Sequence, residues 1–233
     1  LTLHTPLRIV VDSANSVSAI PFVPLATRNQ HLSVCELYTD IIADFPHHDG
    51  DPSQEENLED VKRKVVETKS DFGVAFDGDA DRAGFVDHTG KVIPADIIGA
   101  IISDYLLEKH SGAEIVHDVF CTKAISDLAQ QKNTQAICAK VGRKNIVAHM
   151  SENENIIFGI EKSGHFFHRD FFGLDNGILT FIKIVDILNA SGKSLSELAQ
   201  QYHTYENTPV INLTVEDPDR CLEHVKSAFS HYT

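Results

Sequence analysis

Three carboxylates stand at alternate positions in Asp77–Gly78–Asp79–Ala80–Asp81–Arg82, with only small residues between them. If this loop curls, the acids converge on one point. Hard oxygen donors of this kind suit Mg²⁺, which keeps further positions for water or a phosphate oxygen. An ordinary solvated turn is the weaker reading, because three unpaired acids beside the apolar run Val74–Phe76 would repel one another without a cation. An EF-hand is excluded: it needs Gly at the sixth position and Glu at the twelfth, where this chain has Arg82 and His88.

A strand followed by Asp-x-Asp also occurs in haloacid-dehalogenase-type phosphatases, with Asp77 then a nucleophile. That pattern expects Thr or Val where Asp81 stands, so it is set aside. A second polar segment, Gly159–Ile160–Glu161–Lys162–Ser163–Gly164–His165, follows another apolar run. Glu161 and Ser163 can each hold a sugar hydroxyl, while His165 and the Lys162 ammonium can meet phosphate. Taken alone, a polar turn with an incidental histidine accounts for it equally well. Ser163 as an activated nucleophile is disfavoured, since it would need a base such as His165 within hydrogen-bond reach.

The elements that must position these loops follow from apolar patterning. Leu7–Val11, Phe72–Phe76, Glu114–Val119, Gln135–Val141 and Asn155–Ile160 read as buried strands. Helical spacing appears over Ala19–Arg28, Glu55–Lys69, the stretch after Pro94, Thr122–Gln131, from Ile146, and Gly177–Leu188, with a capping box at Ser194–Glu197. Gly84–Val86 and Lys91–Ile93 form a hairpin, and Phe45–Ser53 is a loop. Strands alternating with helices imply crossover units, so the expected fold is α/β with two consecutive domains and largely parallel sheets. The expected domains are 1–96 and 97–205, followed by 206–233 as the truncated start of another, with a strand over Pro209–Val215 and a helix over Pro218–Phe229.

The two loops together resemble the α-D-phosphohexomutase family of phosphomannomutases and phosphoglucomutases. Its metal loop is usually Asp-Gly-Asp-Gly/Ala-Asp-Arg and its sugar loop Gly-Glu-x-Ser-Gly-His. Phe45–Pro46–His47–His48 with Asp51–Pro52 and Glu56–Asn57–Leu58, His117–Asp118–Val119, Lys140–Val141–Gly142, Phe171–Gly177 and Thr208–Asn212 also fall in family order. The resemblance implies phosphoglucomutase-type domains II and III, with the start of domain IV. It also implies interconversion of hexose 1- and 6-phosphates through a phosphoserine and a hexose 1,6-bisphosphate. Asp77, Asp79 and Asp81 would hold Mg²⁺, and Arg82 and Arg143 would be catalytic. Glu161, Ser163, His165 and Lys123 would bind substrate, Glu161 and Ser163 at the 3- and 4-hydroxyls.

Several positions depart from the pattern. Phe120 stands where many relatives have a base, with Lys123 three residues on, and is expected to fill core. Arg143 replaces a histidine and is a permanent cation. Ile160, Lys162 and Ser16 are also unusual, and His47, His48 and His168 are expected to be loop or surface residues outside the site. The Phe166–Phe171 extension resembles mannomutase-like branches and favours a phosphomannomutase. The alternatives are a phosphoglucomutase, a phosphoglucosamine mutase or a non-catalytic sugar-phosphate-binding module. The phosphoserine loop is absent, since no Ser-His-Asn occurs, so this piece is expected to be inactive alone.

Composition narrows the partners. Twenty Lys and Arg against thirty-four Asp and Glu give a formal net charge of −14 over 233 residues. Nucleic acids and anionic membranes need a basic footprint and are therefore not expected. No run approaches the roughly 20 apolar residues of a membrane span, and the start shows no signal-peptide pattern. Four cysteines without CxxC spacing read as reduced thiols of a cytoplasmic protein. Oligomeric state is not readable from the sequence.

Overall fold

The computed structural model describes residues 3, 6–27, 30–205 and 213–231. A first unit runs β1 (Leu7–Asp12), α1 (Ala19–Thr27), β2 (Leu32–Leu37), a 3-10 turn (Glu55–Leu58), α2 (Glu59–Thr68), β3 (Phe72–Phe76), β4 (Ala83–Asp87) and β5 (Val92–Ile93). A second runs α3 (Ala95–Lys109), β6 (Glu114–Asp118), α4 (Ala124–Gln131), β7 (Ala136–Ala139), α5 (Arg143–Glu152), β8 (Ile156–Ile160), β9 (Phe166–His168), a 3-10 turn (Arg169–Phe171), β10 (Leu174–Asp175), α6 (Gly177–Ser191) and α7 (Leu195–Gln200). Then comes α8 (Pro218–Ala228), all of whose residues are exposed.

The strands form two five-stranded sheets, ordered β2-β1-β3-β4-β5 and β10-β9-β8-β6-β7. The expectation of largely parallel sheets is corrected. β1 pairs in parallel with β2 and β3, but β3–β4 and β4–β5 are antiparallel. Likewise β6 pairs in parallel with β7 and β8, but β8–β9 and β9–β10 are antiparallel. Link length is the reason: parallel neighbours need a crossover of a dozen or more residues, and the stretches Asp77–Arg82 and Glu161–His165 are too short for one. Both polar loops are therefore hairpin turns.

The buried faces show why the units hold together. Val61 and Val65 of α2 pack with Val10, Ala75 and Val86 on one face of the first sheet. Its other face is covered by α6, whose Phe181 meets Phe22 and Phe76 edge-on and Phe72 at a tilt, at ring distances of 5.2, 6.4 and 6.1 Å. One apolar cluster thus joins Phe72, Phe76 and Phe85 of the first unit to Ile115, Phe158, Phe181 and Ile184 of the second. A fully buried side chain of this size contributes roughly 1.5–3 kcal/mol, so the shared helix is a substantial bond between units.

Other elements differ in detail. The expected Glu55–Lys69 helix begins as a 3-10 turn, and β2, β9 and β10 were not anticipated. The capping box at Ser194–Glu197 is formed. Residues 213–215 carry no strand, and Pro209–Asn212 lie outside the described residues. Phe120 is 51 % exposed and fills no core, because the backbone N–H groups of Phe120 and Cys121 turn back to cap the Asp118 carboxylate. His168 is fully buried on β9, where its Nε2 lies 2.8 Å from Thr180 Oγ1 and burial pulls its pKa down to about 3. All four cysteines are free. Among the described residues no helix is long and apolar enough to cross a membrane.

Candidate active site at two joined hairpin loops

The two polar hairpin turns meet each other. Ala83 N–H donates to Gly164 O (3.1 Å), and Arg82 and His165 form an antiparallel bridge. Gly177 N–H, at the start of α6, donates to Ala80 O (2.8 Å). Close approach demands glycine here: a Cβ at position 177 would stand 2.6 Å from Arg82 O and 2.9 Å from Ala80 O. Gly164 has φ +93°, a left-handed conformation that strains other residues.

Asp77 is buried at the end of β3, Asp81 is half-buried and Asp79 is exposed. One carboxylate oxygen from each lies within 4.8 Å of the others. Burial, a hydrogen bond with Asp77 and the charges of Asp77, Asp79 and Asp175 push Asp81 up to about 7. An acid that resists ionisation among other acids signals uncompensated negative charge, and a hard divalent cation fits this donor set. Arg82 is braced on both sides. Its backbone N–H and Nε donate to Asp77 (3.0 and 2.8 Å), and Nη1 donates to Asp51 Oδ1 (2.6 Å).

Across the junction, Glu161 is buried and its Oε1 accepts the Gly142 N–H (2.8 Å). Burial holds its carboxyl above the usual range. His165 Nδ1 is 2.8 Å from Ser163 Oγ and 3.5 Å from Glu161 Oε2, while Nε2 is 3.4 Å from Asp81 Oδ1. Burial lowers the imidazole below its ordinary value. The hydrogen-bond reach required for a serine–histidine pair is therefore met, within a single turn.

Arg143 opens α5 with Nη2 2.7 Å from Asp175 Oδ1 and Nη1 4.0 Å from Asp81 Oδ2. Lys123 is exposed just before α4. Lys162 does not offer its ammonium to the open face: Nζ lies 2.5 Å from the buried Asp96, and its N–H donates to Asp118 Oδ2 (3.0 Å).

Sequence reasoning missed Asp175, Asp51, Asp96 and Asp118. An acid just before the Asn176–Gly177 cap of α6 is the one local signal for Asp175. Two of the histidines expected outside the site tie their loop to β1 and the turn after it. His48 Nε2 pairs with the buried Asp12 (3.0 Å), and His47 Nδ1 contacts Asn15 Oδ1 (2.7 Å) while its ring stacks on Tyr38. A 660 Å³ cavity lined by Val66, Lys69, Asp71, His88 and Glu197 lies at the amino end of β3 and holds none of these groups. The titratable groups converge instead on the face where the two loops meet.

Residues 2–90 match domain II, and residues 94–205 domain III, of the alpha/beta/alpha domains of phosphoglucomutase/phosphomannomutase. The chain is 34% identical over 216 residues to a phosphomannomutase/phosphoglucomutase of Pseudomonas putida, covering 92% of this chain and 46% of that protein. It is also 34% identical over 219 residues to a probable phosphoglucosamine mutase of Methanopyrus kandleri, covering 94% and 47%. A crystal structure of a phosphoglucomutase/phosphomannomutase family protein from Burkholderia thailandensis superposes with a TM-score of 0.81 at 34% identity, over 90% of this chain and 45% of that one. The chain thus spans about half the length of the curated relatives it matches.

Proposed function

Because the chain belongs to the phosphoglucomutase/phosphomannomutase family, we propose that it carries the metal and sugar loops of a phosphohexomutase interconverting hexose 1- and 6-phosphates. The reading includes a phosphoserine supplied from outside these residues and a hexose 1,6-bisphosphate intermediate. What carries it is the joining of the Asp77–Asp79–Asp81 cluster to the Glu161–His165 loop on one face.

Asp77, Asp79 and Asp81 would hold Mg²⁺, which when bound neutralises charge on phosphoryl oxygens. Arg82 and Arg143 add fixed positive charge beside the same loop, needing no proton adjustment as the group moves. Glu161, with Oε1 satisfied by Gly142, presents Oε2 to a sugar hydroxyl, and Ser163 Oγ can meet a neighbouring one. His165, its pKa lowered by burial, can accept a proton on this face. Lys123, exposed before α4, would add a cation for a phosphate group.

The Phe166–Phe171 extension does not favour mannose over other hexoses, since Phe166 and Phe167 are fully buried in β9. The substrate class is therefore hexose phosphate, and the epimer is read by assay. The four free cysteines accord with a reducing compartment, and we place the protein in the cytoplasm.

The test uses the whole gene product with Mg²⁺ and a hexose 1,6-bisphosphate activator. Formation of 6-phosphate from mannose, glucose and glucosamine 1-phosphates is followed by a coupled assay. Turnover with at least one substrate, abolished by Asp79→Asn without change in circular dichroism, is expected. No turnover with any of them, or wild-type rates in the Asp79→Asn variant, overturns the reading.

A further inference from the structure

We propose that Asp175 is a positioning residue that seats the Arg143 guanidinium against the acidic loop, an inference that rests on the phosphohexomutase reading. The Asp175 side chain is 0 % exposed at the end of β10. Neither of its oxygens accepts a hydrogen bond from another residue. Arg143 Nη2 stands 2.7 Å from Oδ1, yet no N–H points along that line, so the contact is an ion pair without a hydrogen bond. A carboxylate kept dry with one cation as its compensation is costly for stability.

Arg143 needs such a seat. It is 53 % exposed at the first position of α5, and without a partner its long arm would sample many rotamers. Asp81, His165 and Asp175 each present a ligand atom within 4.8 Å of the others, which is the outline of a cation position. The guanidinium supplies that cation, with Nη1 4.0 Å from Asp81 Oδ2. Asp81 is then flanked by the divalent-metal position shared with Asp77 and Asp79 on one side and by Arg143 on the other. A phosphoryl group in transit spreads charge over three equatorial oxygens, so a second positive charge at a fixed distance from the first serves it directly. The planar fork can spend one Nη on Asp175 and leave other N–H groups for those oxygens.

Asp175 is itself fixed to the metal loop by backbone. It pairs with Phe167 in the β9–β10 ladder, Asn176 caps α6, and Gly177 N–H bonds to Ala80 O between Asp79 and Asp81. The guanidinium is thereby held in register with the acids it serves.

The experiment compares Asp175→Asn, Asp175→Glu, Arg143→Lys and the double variant Asp175→Asn/Arg143→Lys in the whole gene product. Asp175→Asn is expected to lower kcat by about 10–100-fold with KM changed less than ~3-fold, as for a misplaced reacting group. Its thermal midpoint should not fall, since the arginine left behind is solvated, and Asp175→Glu should recover part of the loss. The double variant should be no worse than the poorer single one within ~3-fold. A loss below ~2-fold in Asp175→Asn, or losses that multiply in the double variant, overturns the proposal. If the wild type turns over no hexose phosphate, the phosphohexomutase reading fails, and side-chain ¹⁵N resonances of Arg143 decide the seat alone. Separately resolved Nη signals in the wild type that collapse in Asp175→Asn support it, and identical signals refute it.

Discussion

Replacing Lys162 by Met tests how the Glu161–His165 loop is held. Asp96 is 0 % exposed and its two oxygens are met by Lys162 Nζ (2.5 Å) and Thr122 N–H (3.0 Å). Burial alone would raise this carboxyl, but the Lys162 ammonium holds it below its ordinary value. Without the ammonium, Asp96 either stays charged in a dry site or takes up a proton. From an unfolded pKa of about 3.9, holding it neutral at pH 7 costs about 4 kcal/mol, within the ~3–5 kcal/mol typical of a broken buried pair. With a urea m-value of about 2.5 kcal/mol/M, the unfolding midpoint should fall by roughly 1.5 M. The sign with pH is fixed by linkage. In the wild type the depressed pKa contributes stability above the unfolded value, which is lost as pH falls through the folded one. In Lys162→Met the pKa is raised, so the deficit is largest at neutral pH and shrinks toward pH 4. Adding Asp96→Asn should recover most of the loss, because no buried charge is then left alone. Urea titrations by circular dichroism at pH 7 and 5 measure all three proteins. A midpoint shift under ~0.3 M at pH 7, or a double variant as unstable as the single, would refute the latch.

His48 is raised above its ordinary 6.5 by its hydrogen bond to Asp12, so its contribution is complete below that value and lost as pH rises through the folded one. Stability should therefore decline as pH rises above about 6.5, and His48→Gln should flatten that slope in urea titrations. Gly177→Ala should cost about 1–3 kcal/mol by driving a methyl into Arg82 O and Ala80 O. An unchanged thermal midpoint would mean that the loops yield freely. Ser163→Ala should raise KM for hexose phosphate about 10-fold while cutting kcat less. A loss of kcat beyond ~10⁴-fold would instead make Ser163 the nucleophile that its contact with His165 permits.

What could be read from the sequence was local. Asp77–Arg82 declares itself because acids at alternate positions after an apolar run repel one another unless a cation joins them, and Ser194–Glu197 because a capping box spans one turn. Pairing direction is not local. The strand–helix alternation was visible, but whether β4 and β9 turn back as hairpins depends on links whose shortness was hidden behind their chemistry. β9, Phe166–His168, is too short and too uniformly buried to show alternation. The side-chain misreadings share one cause, a distant partner. Lys162 looked available to phosphate, and Asp96, which takes its charge, is 66 positions away. Asp175 acquires meaning only when α5 brings Arg143 to it.

The two sheets repeat one plan. Written from the second strand of each unit, the orders β2-β1-β3-β4-β5 and β7-β6-β8-β9-β10 match in sequence and in the sense of every pairing. Asp12 and Asp118 end the equivalent strands β1 and β6, and each accepts the N–H two residues on. Asp77–Arg82 and Glu161–His165 are therefore the same hairpin turn in two copies, one carrying three acids and the other Glu161, Ser163 and His165. Because Ala83 N–H and Gly177 N–H bond across the junction and α6 sits in a core common to both units, the distance from Asp81 to Glu161 is set by backbone. It does not depend on closing a cleft. On the phosphohexomutase reading, a sugar that must present first one end and then the other to the same acids has to turn between loops that hold their spacing.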